Sequence, residues 1–251
     1  MQADVPVKTS KIVFEVIETL LEKDSARLTE MVETMEMAES TLHDHLRTLE
    51  SIGLLVRDGN EYRVSTQFIE LGERVRRQRT IYDVGHEAVS ELAEQTGEHA
   101  SLMIEENGEG VLLDIEKGED AVDLGVWAGR RLPLTVQAPG KAILAHLPEE
   151  KREGVLEEHG LPAYTDRTIT DRSELDEELE AIRDRGYSTD TGELIRGVKA
   201  IAVPIFDRGT IAGAISVGGP ANRMRGKRFE EDLPDRLLRV SNVIELNVAH
   251  N

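Results

Sequence analysis

The sequence predicts an α+β fold in two parts, and three observations carry that prediction. Up to about residue 79, apolar residues recur at helical spacing and are interrupted by a single hairpin signal. Beyond residue 80, strand-like runs and helical segments mix without the regular alternation of a βαβ chain, which is the α+β signature. Charge divides the chain at the same place: residues 1–79 carry a net −4 and residues 80–251 a net −15.

The elements follow in order. Ile12, Val13, Val16, Ile17, Leu20 and Leu21 fall on one face of a first helix. A short second helix is expected over Leu28–Met35 and a third over Glu39–Ser51, with Gly53 as its terminator. Leu54–Arg57 and Glu61–Val64 flank Asp58-Gly59-Asn60, a hairpin signal. Thr66–Arg79 reads as an amphipathic helix with Phe68, Leu71 and Val75 on one side, and its end, Arg74–Arg79, is the most basic run in the chain.

In the second part a helix is expected over Ile81–Thr96, stopped by Gly97. Strands are expected at Ala100–Glu105, Gly110–Ile115 and Val122–Val126, the first two joined through Asn107-Gly108. Helical segments follow near Lys141–Leu147 and Glu149–Glu158, and Ser173 is the expected N-cap of a helix ending at Gly186. Ala200–Phe206 and Ile211–Val217 form a second hairpin around Asp207-Arg208-Gly209, and a final helix covers Pro234–Val248.

Composition excludes whole classes of chemistry. The 251 residues include no cysteine, which removes disulfides, thiolate metal sites and Cys nucleophiles. No apolar run reaches the ~18–20 residues of a membrane span, and Met1–Lys11 lacks the apolar centre of a signal peptide, so the expected location is the cytoplasm. With 49 acidic and 30 basic residues the formal charge is −19, yet 39% of the chain is hydrophobic, enough for a core. Of the basic residues 22 are Arg and 8 Lys. An ordinary acidic cytosolic protein accounts for this; a halophilic one, in a cytoplasm of molar salt that screens self-repulsion within about 3 Å, is the favoured reading.

Three helices and a hairpin are the outline of a winged helix-turn-helix. At 100° per residue, Leu42, Leu46 and Leu49 of the third helix fall within about 40° of one another. Ser40, Asp44 and Arg47 fall opposite, with Thr41 and His43 on the flanks. Such a row of short polar groups with one Arg suits base edges in a major groove, and Arg57 and Arg63 beside the hairpin tip suit phosphate contacts. Asp44 is repelled by phosphate but can accept from a cytosine amino group. A solvated face on a small helical domain is the alternative. His43 and His45, two residues apart on a helix, diverge, so no metal site is expected.

These features together resemble the IclR family of transcriptional regulators. Met37–Leu49 is similar to that family's recognition helix. Arg131-Leu132-Pro133-Leu134, Ala138–Ala142, Arg185–Ser188, Gly197–Ile205 and Ala214–Pro220 resemble signatures of its second domain, in the same order and over nearly the whole chain. The resemblance implies a winged helix-turn-helix over 1–65, a linker helix over 66–79 and a GAF-like effector-binding domain over 80–251, with a mixed sheet and flanking helices. It further implies a homodimer or homotetramer, operator DNA and a small-molecule effector as partners, and no cofactor.

Carried over by position, the family's pocket maps to Leu124, Leu132, Ala138, Pro139, Asp190, Val198, Ala200, Ser216 and Gly218, an apolar cup with few polar anchors. Backbone N–H groups after Pro139, at a helix start, suit an anionic oxygen. Asp190 and Ser216 suit a ligand hydroxyl, or else satisfy backbone groups in turns and strands. Trp127 and Arg130 are candidates to close over the site. The chain departs from family pockets for small carboxylates at Gly218, Ala200 and Thr135, and Thr191-Gly192 breaks an acidic run before Glu193. By analogy the effector is a sugar acid or another small organic acid of carbon catabolism. Motifs for hydrolases, zinc proteases and phosphate loops are absent, so no catalytic residue is assigned. The rival reading is a GAF-like ligand-binding or enzymatic protein whose winged helix serves assembly only.

Overall fold

A computed structural model describes residues 6–250. The chain forms two compact units, one ending at Val75 and one beginning at Arg76.

The first unit holds α1 (Lys8–Lys23), β1 (Ala26–Arg27), α2 (Leu28–Met35), α3 (Glu39–Ser51), β2 (Leu55–Asp58), β3 (Glu61–Val64) and most of α4 (Gln67–Arg77). Leu42, Leu46 and Leu49 of α3 meet Val16 and Leu20 of α1, Met31 of α2 and Tyr62 of β3 in one core. The stripe expected from 3.6-residue spacing is therefore the buried face. A three-residue turn, 36–38, joins α2 to α3, the spacing of a helix-turn-helix. The hairpin pairs Asp58 with Glu61, so its turn is Gly59-Asn60, and Gly59 takes φ +60, which a side chain would strain. β1 adds a third strand, in the order β1-β3-β2, which apolar patterning over two residues cannot announce.

The second unit holds α5 (Thr80–Thr96), β4 (His99–Glu106), β5 (Glu109–Lys117), β6 (Arg131–Pro133), α6 (Ala138–His146), α7 (Glu149–His159), α8 (Arg172–Arg185), β7 (Ser188–Asp190), β8 (Val198–Asp207), β9 (Thr210–Pro220) and α9 (Leu233–His250), the last preceded by a π-helical turn. Six strands form one sheet in the order β6-β5-β4-β9-β8-β7. The α+β class holds, but each of the five strand pairs is antiparallel, where a mixed sheet is expected from the sequence. Alternation sends Leu102, Ile201, Val203, Ile215 and Val217 to the face covered by α5 and α9. It sends Met103, Ala202 and Ala214 to the face covered by α6 and α8.

Two local expectations change. Val122–Val126 is not a strand; it runs as a loop, and the pairing edge beyond β5 is taken by β6. The N-cap of α8 is Asp171, not Ser173: its carboxylate accepts from the N–H groups of Ser173 and Glu174 at 2.9 and 3.1 Å. An Asp two residues upstream adds a charge favoured at a helix N-terminus.

Candidate functional site

In the first unit the candidate residues are all open to solvent, and the hairpin register, Arg57 opposite Tyr62 and Val56 opposite Arg63, sends Arg57 and Arg63 to opposite faces of the wing. Ser40, Thr41, His43, Asp44 and Arg47 of α3 are all exposed, as are Arg57 and Arg63 of the hairpin. Burial of Leu42, Leu46 and Leu49 turns them outward. Arg57 is partly committed: its Nε donates to the Gly59 carbonyl at 2.9 Å and its guanidinium lies 5.4 Å from the Tyr62 ring centre. His43 Nδ1 lies 3.7 Å from the Asp44 carboxylate, a weak exposed pair. Arg47 and Arg63 have no ion pair among the described residues. Arg76 and Arg79 of the basic run are spoken for. Arg76 pairs with Asp114 at 3.2 Å and lies over Tyr82, and Arg79 pairs with Glu106 at 2.7 Å. The run is thus not a free basic patch at those positions.

In the second unit the sheet register builds a cavity. Asp190, Ala200, Gly218 and His99 stand opposite one another across β7, β8, β9 and β4. In the neighbouring row Ala202, Ser216, Ser101 and Ile115 do the same across β8, β9, β4 and β5. These rows face α6, and Ala200 and Gly218 at their centre leave a hollow. A Cβ added to Gly218 would sit 3.2 Å from that of Ala200. Leu124 and Val126 of the 122–130 loop, Leu132 of β6, Ala138 and Pro139 of α6, and Leu194, Ile195 and Val198 complete the walls. The cavity volume is about 80 Å³. All nine pocket residues carried over by position line this one cavity. Gly140 lets α6 approach closely, since a Cβ there would meet the Leu134 carbonyl oxygen at 2.5 Å.

The polar groups here are largely tied to the protein itself. Ser101 and Ser216 share a buried hydroxyl hydrogen bond of 2.7 Å. Asp190 accepts from the N–H groups of Gly192 and Glu193 at 2.8 and 2.7 Å, so it shapes the turn that follows β7. Burial holds its carboxyl above the usual range, against those bonds and nearby Lys141. His99 donates through Nε2 to the Val122 carbonyl at 2.6 Å, since a carbonyl can only accept; its Nδ1 has no partner. Trp127 and Arg130 do not line the cavity. Trp127 is 61% exposed, with Arg130 stacked 5.1 Å from its ring centre.

Sequence patterning misses the ion pair behind the cavity. Lys141 is 1% exposed, and its Nζ lies 2.6 Å from Glu193 and 3.9 Å from Glu178. Burial pushes Glu193 up to about 7, opposed by Lys141. A lysine in the first turn of an otherwise small, apolar helix, Ala138–Ala145, was the available signal. Its partner lies 52 residues away and carries none. His99, Ser101 and Gln137 are likewise cavity residues with no local signature.

Residues 74–245 match the family described as bacterial transcriptional regulator IclR C-terminal, and residues 11–59 match the IclR helix-turn-helix domain. The chain is similar to the probable HTH-type transcriptional regulator ArcR of Halobacterium salinarum. The two are 30% identical over 239 residues, covering 93% of this chain and 91% of that one. It is 31% identical to the HTH-type transcriptional regulator BhcR of Paracoccus denitrificans over 94% of this chain and 85% of that one. Among solved structures it is similar to the IclR protein of Thermotoga maritima. That comparison has 30% identity and a TM-score of 0.85, covering 96% of this chain and 99% of that one.

Proposed function

Because this chain belongs to the IclR family of transcriptional regulators, we propose that it binds operator DNA as a homodimer or homotetramer and releases or tightens its grip when a small organic acid fills the cavity of the second unit. The observation that carries the reading is the cavity itself: nine residues assigned by position from sequence converge on one pocket. Ser40, Thr41, His43, Asp44 and Arg47 present the base-reading row, and Arg57 and Arg63 meet phosphates on either side of the wing. Two-fold symmetry of the assembly calls for palindromic half-sites about one helical turn apart or a multiple of it.

The mechanism is a population shift. Effector favours one arrangement of the oligomer, and the helix around Gln67–Arg77 passes this on as a change in the spacing of recognition helices. The effector is a product of carbon catabolism, a sugar acid or another small organic acid. The first turn of α6 supplies N–H groups free of the helix's own ladder, the first such bond being Lys141 N–H to the Gln137 carbonyl.

The net charge of −19 favours a cytoplasm of high salt, where counterion release adds little affinity and specificity rests on base contacts and DNA shape. The test is binding of the full chain, in molar KCl, to DNA upstream of its own gene and neighbouring genes. Sequence-specific binding that small organic acids shift is the expected result. Absence of specific binding at every salt concentration would sink the reading and leave the winged helix as an assembly module.

A further inference from the structure

The basic run at the end of α4 is held to the sheet at an irregular place. Leu102 of β4 faces Asp114 of β5, and Met103 faces Leu112, so β5 carries one extra residue, Leu113. This is a β-bulge, which breaks the alternation of faces and recurs beside functional sites, where it re-aims a side chain. On one side of the bulged strand Leu112 and Ile115 line the cavity. On the other, Leu113 joins the core under α5 and α9, and Asp114 stands with it, opposite Leu102 of that core. Arg76 reaches this carboxylate at 3.2 Å and lies 4.5 Å from the centre of the Tyr82 ring. Tyr82 stacks on His86 at 5.3 Å.

An acid is a costly choice at position 114. Asp114 is buried, and burial holds its carboxyl above the usual range, against the pull of Arg76. Glu116 acts with burial and His86 against it. Well-packed apolar side chains are often as stabilising as a buried ion pair, so stability alone does not account for this one. What such a pair adds is a defined arrangement of the two elements it joins.

Leu112 does corresponding work on the cavity side. Its N–H donates to the Arg130 carbonyl at 3.0 Å, and its own carbonyl accepts from the Gly129 N–H at 2.7 Å. It thereby holds the 122–130 loop, whose Leu124 and Val126 wall the cavity. Three consecutive residues of β5, 112–114, connect that wall to the last turn of α4. An occupant that displaces the loop or Leu112 displaces the bulge, and the carboxylate that Arg76 follows moves with it.

We propose that the β5 bulge, acting through the Asp114–Arg76 ion pair, carries occupancy of the cavity to α4, with Asp114 and Arg76 as positioning residues. This rests on the reading of the cavity as the effector site and names the route by which that site is read. Arg79 supplies the contrast within the same basic run. It pairs with the more exposed Glu106, away from the bulge, and has no part in the route.

The experiment is amide hydrogen exchange over residues 70–80 of the full chain in molar KCl, as a double-mutant cycle. Ala200→Leu, at the centre of the cavity floor, stands in for an occupant. Val198→Met, from the half-buried wall, replaces it if melting shows that Ala200→Leu is unfolded. Filling the cavity is expected to change exchange over 70–80 by about fivefold or more in the otherwise native chain. In Asp114→Asn, which keeps the shape and removes the charge, the response is expected to fall below about twofold. Arg79→Ala should leave it whole. A purely structural Asp114 would alter the starting exchange rate and leave the response to filling intact. An undiminished response in Asp114→Asn, or none in the native background, would overturn the route. Failure of the effector-site reading shows separately, as specific DNA binding indifferent both to small organic acids and to Ala200→Leu.

Discussion

The two units use their polar residues in opposite ways. In the winged helix, Ser40, Thr41, His43, Asp44 and Arg47 stand exposed, and the core beneath them is apolar apart from the hydroxyl of Tyr62. In the second unit, Lys141, Glu193, Asp190, Ser101 and Ser216 are buried and bonded to one another or to backbone. A reading surface can be changed without cost to the fold. A buried site cannot, because its polar groups hold up the structure that forms it.

The largest test of this contrast is Lys141→Ala. It strands Glu193 without its cation and is expected to destabilise the second unit by about 3–5 kcal/mol in denaturant unfolding. A loss under about 1 kcal/mol would mean the pair is not structural. Arg47→Ala belongs to the opposite regime. Stability is expected to stay within about 0.5 kcal/mol, while operator affinity falls by about 1–3 kcal/mol with the oligomer intact. Unchanged affinity in a gel-shift titration would remove α3 as the reader.

Burial of Glu193 also makes the second unit sensitive to pH, with Lys141 opposing the shift. Burial raises Glu193 from an ordinary 4.5 to about 7. Between those values the folded chain holds a proton that the unfolded chain has lost. Stability from protonated Glu193 is therefore full below about 4.5 and is lost as pH rises to about 7. Melting temperature, followed from pH 5 to pH 8, should fall less steeply in Glu193→Gln than in the wild type; parallel curves would contradict the assignment. The smallest effect is at the wing. Arg57→Ala should weaken binding to all sequences alike and make the salt dependence of log K shallower by about 0.9. A change in sequence preference instead would give Arg57 a base contact.

Much of the first unit was legible because its signals are local. The Leu42–Leu46–Leu49 stripe, the 36–38 turn and the Gly59 hairpin each span a few residues, and each fell where spacing put it. In the second unit the helices and the two hairpins were legible for the same reason. Val122–Val126 was misjudged because its alternating apolar residues fit either a strand or a loop that turns Leu124 and Val126 inward over a cavity. The cap falls at Asp171 and not at Ser173 because the charged Asp171 carboxylate accepts from the N–H groups of Ser173 and Glu174, which places Ser173 inside the first turn.

The sequence alone determined the two-part α+β organisation, the apolar faces and the exposed row on α3. Periods of 3.6 and 2 are properties of the chain over a single element. Only the tertiary structure decided the strand order β6-β5-β4-β9-β8-β7, the antiparallel sense of the whole sheet and the membership of the cavity. Ser101 meets Ser216 across 115 positions, and Lys141 meets Glu193 across 52. The first pairing depends on which strands lie side by side and in what register, and a one-residue slip would turn Ser101 or Ser216 to the other face of the sheet; the second depends on how α6 packs beside the turn that follows β7.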